Sequence, residues 1–261
     1  MSWFNFIRNF IITVIIANGV QPAFPESRSG NHVWKAGVDQ CSIVWFIHIP
    51  KTAGTTIGRV LKESPANSTK ALFFDLHRKE DPHRNNYVEH GKYHNWSEPD
   101  LLAVVARHEG RKIVVTAETP LADLRRRKYP WFEETCFFSI LRDPYEWTLS
   151  AENHMRTSSG YKGGISGNYG YFDHRNIQSY MTGYGLGSHG AVFMCVGSVE
   201  NFNDIYDALF PQLADNLTLP HLNARPHPVN ITKAVKDVVS AKYPLDLELW
   251  GVVARQGLVC W

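Results

Sequence analysis

The stretch SIVWFIHIPKTAGTTIGR, from Ser42 to Arg59, decides the fold. Its first half, Ser42–Ile49, is a short apolar run rich in Ile, Val, Trp and Phe, and reads as a buried strand. Its second half turns through Pro50, Lys51, Thr52, Ala53 and Gly54 and predicts a helix over Thr55–Glu63. A strand-to-helix turn holding a glycine, hydroxyl residues and a lysine is an anion cradle. Backbone N–H groups and the positive helix end face the anion, and the lysine adds a full charge. Gly54 is read as the point where backbone comes close to the anion. In the nucleotide loop of ATPases the lysine follows the last glycine; here Lys51 precedes Gly54. That order weakens an ATPase or kinase reading.

Outward from this stretch, short apolar runs alternate with helical periodicity. Strands are expected at Lys70–Leu76, Lys112–Thr116, Phe137–Leu141 and Val192–Gly197. Helices are expected over Glu98–His108, from Pro120 to about Arg127, over Tyr145–Met155 and Phe202–Phe210, and finally over Ile231–Ala241 and Leu245–Arg255. Such alternation implies an α/β fold, a mainly parallel central sheet covered by helices on both faces. Ligands of these sheets bind beyond the carboxyl ends of the strands. The polar, His-rich Asp81–His94 and the glycine-rich Ser158–Asn168 read as long loops over that edge, either shaping an acceptor site or plain surface.

A second anion motif ends the Phe137–Leu141 run. It reads Ile140-Leu141-Arg142-Asp143-Pro144, with Ser150 eight residues after Arg142. Arg142 offers a planar fork that matches phosphate oxygens, and Asp143 sits near the positive end of the following helix. With the first loop about ninety residues earlier, the pair resembles the membrane-bound, Golgi-type carbohydrate sulfotransferases, especially the heparan sulfate 2-O and 6-O types. Fainter similarity continues through Val196–Phe202, Leu219–Arg225 and Asp246–Leu249. The family's usual Arg after the Pro is absent, and Trp147 occupies that region.

The resemblance implies a P-loop-like three-layer fold and 3'-phosphoadenosine-5'-phosphosulfate (PAPS) as co-substrate, with no metal. Lys51, Thr52, Ala53, Gly54, Thr55 and Thr56 would hold the 5'-phosphosulfate. Arg142 and Ser150 would hold the 3'-phosphate, with Arg225 leaning over the nucleotide. The acceptor would be a carbohydrate hydroxyl. Lys51 suits stabilisation of the departing phosphate. For the base, some relatives place a Gly-His where this chain reads Ala117-Glu118-Thr119-Pro120. Glu118, a partly buried carboxylate at a strand end, is expected to have a raised pKa and to serve as base. Its alternative reading is a helix cap or a partner of Lys51. His94 is the rival, in a segment resembling one of the 6-O type, although glycosylation at Asn95 would argue against a cramped role there. Two other functions stay open: a nucleoside-triphosphate-dependent phosphoryltransferase, and a non-catalytic protein that kept the fold.

The chain has 261 residues, 44% hydrophobic and 20% charged, with a formal net charge of +2. That suffices for one sizeable core and is too balanced to imply nucleic-acid binding. Residues 1–20 read as a signal peptide or short signal-anchor around the apolar run Phe10–Ala17, with a buried helix as the bland alternative. Residues 21–40 read as a stem and 41–261 as the sulfotransferase domain. The sequons at Asn67, Asn95, Asn216 and Asn230 agree with the secretory pathway and a Golgi lumen, membrane-anchored or soluble.

The four cysteines lack metal-ligand spacing. Cys41 and Cys136 precede the two strands whose far ends carry the two anion motifs. If both loops hold one nucleotide those strands are neighbours, and a Cys41–Cys136 disulfide is expected. Cys195, inside an apolar run, reads equally as a buried free thiol.

Overall fold

The computed structural model describes residues 41–63, 71–76, 85–89, 92–95, 112–126, 132, 135–158, 175–185, 193–209 and 231–261. Among the described residues, eight strands form one sheet: β1 (Ile43–Ile47), β2 (Ala71–Leu76), β3 (Asn85–Glu89), β4 (Lys92–Asn95), β5 (Lys112–Ala117), β6 (Thr135–Ile140), β7 (Phe193–Gly197) and β8 (Val259–Cys260). Their order is β4-β3-β2-β5-β1-β6-β7-β8. The five central strands, β2-β5-β1-β6-β7, pair in parallel, while β3, β4 and β8 run antiparallel at the edges. After β1 the chain builds one side of the sheet and then crosses to the other with β6. β1 is therefore the switch point, where a parallel sheet opens a crevice.

The helices are α1 (Gly54–Glu63), α2 (Leu121–Arg126), α3 (Pro144–Ser158), α4 (Ile177–Thr182), α5 (Phe202–Leu209), α6 (Lys233–Lys242) and α7 (Pro244–Gln256). Alternation along β1 splits the core in two. Ile43, Trp45 and Ile47 pack with Leu121, Trp147, Ile177, Val239 and Leu249, on the side of α2, α3, α4, α6 and α7. Val44 and Phe46 pack with Ile57, Phe202 and Ile205, on the side of α1 and α5. A strand covered on both faces has no polar side to show, which is why β1 reads as an unbroken apolar run.

One expectation needs correction, and one open alternative is decided. Part of Asp81–His94, read as a loop, is the antiparallel hairpin β3–β4, with Tyr87 opposite His94. Its polar residues belong to an edge ribbon, where pairing supplies the order that hydrophobic alternation did not announce. Cys195 is no free thiol: it is bonded to Cys260, with Cα atoms 4.0 Å apart, directly across the β7–β8 ladder. The expected Cys41–Cys136 disulfide is present, Cα to Cα 5.8 Å, across the adjacent parallel strands β1 and β6. It closes a separation of 95 residues. Closing a loop that long contributes on the order of 4 kcal/mol in the chain-entropy account. The targeting segment and stem, the Glu98–His108 helix, the loop from 159 to 168, Arg225 and the sequons at Asn67, Asn216 and Asn230 lie outside the described residues.

Candidate anion-binding site

Three neighbouring strands end at one edge, and each delivers one of the expected groups. β1 runs into His48–Thr56, β5 into Glu118, and β6 into Arg142. The His48 N–H extends the β1–β5 ladder to Ala117 O at 2.8 Å, and Leu141 N–H extends β6 to Gly197 O at 2.7 Å.

The first loop is tightly constrained. Lys51 and Ala53 have φ of 69° and 66°, with the buried Thr52 between them at ordinary φ. Alternating signs of φ turn successive amides toward one side, the geometry of an anion nest. The Thr52 hydroxyl donates to Ile49 O at 2.8 Å. The first bond of α1 is Ile57 N–H to Ala53 O at 3.1 Å, so the amides of Gly54, Thr55 and Thr56 precede the helical ladder.

Gly54 also has a packing reason. A Cβ built on it would fall inside the imidazole of His48. His48 is buried and stacked on Phe46 at 5.9 Å between ring centroids. The glycine therefore makes room for a histidine wedge beneath the loop. The same imidazole presents Nδ1 3.6 Å from Glu118 Oε1, whose side chain is 20% exposed. Glu118 thus sits one strand from the loop with a buried histidine behind it. His94 is not brought there. It lies on β4, four strand steps from β1, roughly 19 Å at about 4.8 Å per step. Through the ladders it shares a rung with Trp45, in the interior of β1.

The second motif is held from several sides. Asp143 Oδ1 accepts from Tyr145 N–H at 2.7 Å and Glu146 N–H at 3.2 Å, which caps α3. The half-buried Arg142 guanidinium donates from Nη1 to Lys51 O at 3.4 Å and from Nε to Glu146 Oε2 at 3.3 Å. Trp147 is buried, and its Nε1–H donates to Pro50 O at 2.8 Å. Two consecutive carbonyls of the first loop are therefore tied to the second motif.

Ser150 lies two turns into α3, partly buried. Arg142, Glu146, Ser150 and His154 recur every fourth residue, so the last three share a stripe of α3 that Arg142 leads into. His154 is a residue the sequence reading missed, although its spacing from Ser150 was visible. Burial first, and the positive charge of Lys51 second, hold its imidazole below the ordinary histidine value.

Gln178 and Asp246 were also missed as site-supporting groups. Gln178 Oε1 accepts from Arg142 N–H and its Nε2 donates to Arg142 O, both at 2.9 Å. Asp246 accepts from Gln178 N–H at 3.1 Å and Ser179 N–H at 2.7 Å. Burial pushes the Asp246 carboxyl up to about 6, against the opposing pull of those donors. Set against family models, curated proteins and solved structures, the chain matches none.

Proposed function

We propose that this chain is a sulfotransferase on a P-loop-like fold, moving the sulfuryl group of PAPS to a carbohydrate hydroxyl in the lumen of the secretory pathway. One observation carries the reading. Three adjacent strand ends bring a nest-like loop with Lys51, the Arg142 corner and Glu118 to a single edge, with Arg142 bonded to the backbone of Lys51. Two anion sites side by side fit a nucleotide with phosphates at both its 5' and 3' positions. The loop amides and Lys51 suit the 5'-phosphosulfate. Arg142 and the Ser150 hydroxyl suit the 3'-phosphate, where Arg142 would exchange Glu146 for a phosphate partner. Two disulfides are in keeping with an oxidising compartment.

In the reaction the acceptor oxygen forms a bond to sulfur as the bond from sulfur to the bridging phosphate oxygen breaks. The electron pair stays on that oxygen, where the Lys51 ammonium opposes the growing charge. The acceptor proton goes to Glu118, next to the loop and backed by His48. His94 fits this step less well, because its strand lies at the far edge of the sheet.

Isothermal titration with 3',5'-bisphosphoadenosine against ATP with Mg²⁺ tests the nucleotide. A labelled-PAPS transfer assay over a panel of polysaccharides, with Glu118→Gln alongside His94→Ala, tests the chemistry. The expected result is preference for bisphosphoadenosine and a loss of turnover of about 10²-fold or more in Glu118→Gln. Preference for ATP would move the reading to phosphoryl transfer. Nucleotide binding without transfer to any acceptor would favour the non-catalytic alternative. Normal turnover in Glu118→Gln with loss in His94→Ala would exchange their roles.

A further inference from the structure

We infer that Gln178 is the positioning residue that gives this site its selectivity for a nucleotide carrying a 3'-phosphate. It would do so by fixing the backbone of Arg142, and the inference rests on the reading of Arg142 as the 3'-phosphate ligand.

β6 ends at Ile140, and Leu141 makes the last ladder bond to β7. Arg142 comes next, where a chain leaving a sheet is free to vary. Its N–H and C=O are both taken by one side-chain amide, that of Gln178, in two bonds of 2.9 Å. The amide behaves as one extra rung of sheet. Its orientation is set by the bonds themselves, since exchanging oxygen and nitrogen would face acceptor to acceptor and donor to donor. Gln178 is 1% exposed, so water does not readily replace the bonds if they are lost.

Gln178 is fixed in turn. Asn176 Oδ1 accepts from Leu245 N–H at 2.8 Å and Asp246 N–H at 3.4 Å, at the start of α7. Asp246 returns the favour at the start of α4, accepting from Gln178 and Ser179. Each helix supplies the cap of the other, and Gln178 stands at the junction. With the Cα of Arg142 so placed, the guanidinium reaches Lys51 O on one side and Glu146 on the other. Fork-shaped recognition of phosphate depends on such placement, since a shift of a fraction of an ångström already loosens a bidentate pair.

The test is a double-mutant cycle on the intact chain, read as selectivity. Affinities for 3',5'-bisphosphoadenosine and for adenosine 5'-monophosphate, which lacks the 3'-phosphate, are measured by titration. The proteins are wild type, Gln178→Met, Arg142→Ala and the double variant. Methionine keeps the volume and removes both bonds; Asp246→Asn serves as a second, milder perturbation. Gln178→Met should lower the preference for the 3'-phosphate about tenfold, the lower end of what losing a charge-assisted pair costs. The monophosphate should bind within about threefold of wild type. In the Arg142→Ala background, Gln178→Met should cost no further selectivity.

Equal weakening of both nucleotides would make Gln178 a structural residue only and overturn the inference, as would an unchanged preference. A wild-type protein without any preference for the 3'-phosphate would instead sink the reading of Arg142 on which the inference rests.

Discussion

The loop after β1 and the corner after β6 serve the same edge of the sheet but are built on opposite principles. The loop is strained. Two of its residues, Lys51 and Ala53, hold positive φ without being glycine, and the one glycine, Gly54, is closed over by a buried imidazole. Left-handed L-residues cost of order 1–2 kcal/mol each. The corner stores nothing comparable. Asp143 caps its helix, Gln178 takes both backbone groups of Arg142, and no residue from Leu141 to Ser150 has positive φ. A loop that must bring several amides to one point accepts strain in exchange for a fixed concavity. A corner that must aim one long side chain needs its backbone satisfied and still. The two are joined where Trp147 and Arg142 reach Pro50 O and Lys51 O.

The largest expected effect separates the two regions by kinetics. If the loop serves the charge that develops as the sulfur–oxygen bond breaks, Lys51→Ala should lower turnover by roughly 10²–10³-fold with only moderate loss of nucleotide affinity. Arg142→Ala should do the reverse. Turnover at saturating PAPS should fall little, while affinity for bisphosphoadenosine drops about ten- to a hundredfold. Titration and saturation kinetics on the two variants check this. The contrast collapses if both change affinity alone.

The difference in construction also explains what could be read from sequence. The loop's determinants are contiguous: strand, turn, lysine, glycine and helix start fall within Ile43–Glu63, so the order of residue types displays them. The α/β alternation was legible for the same reason, and so was the Cys41–Cys136 bond, which follows once β1 and β6 are neighbours. The corner showed only its Arg-Asp-Pro. Its clamp comes from Gln178, 36 positions later, and the anchor of that clamp from Asp246, 68 positions further on. Neither carries a local pattern. β8 escaped notice because two residues, Val259 and Cys260, are too few to show a period, and with it went the partner of Cys195. The role of His48 was hidden too, because its meaning lies in the space above Gly54 rather than in its own position.

Gly54→Ala tests that hidden role and should be the next largest effect. On propensity alone, alanine near a helix start gains up to about 1 kcal/mol over glycine. The overlap with the His48 ring should outweigh this, since overpacking in a closed site costs typically 1–3 kcal/mol and occasionally more. Urea denaturation should therefore show a net loss of about 2 kcal/mol. Adding His48→Ala removes the obstacle. The double variant should be more stable than the sum of the two single changes implies. Simple additivity would mean that the imidazole is not what keeps a side chain out of position 54.

The smallest effect concerns the residue just before it. Ala53 holds φ of 66°, where an L-residue loses of order 1–2 kcal/mol and glycine loses none. Against that gain, glycine adds unfolded-state freedom worth about 0.4–1 kcal/mol. The difference is small but has a definite sign: Ala53→Gly should leave stability unchanged or raise it by a few tenths of a kcal/mol up to about 1. Ala151→Gly is the control, a buried alanine inside α3, where ordinary helical backbone offers no strain to release. It should lower stability by about 1 kcal/mol or more from propensity alone. Denaturation midpoints of the two variants, measured side by side, decide the matter. If Ala53→Gly falls as far as Ala151→Gly, the positive φ at Ala53 carries no cost, and the loop is no more strained than the corner it faces.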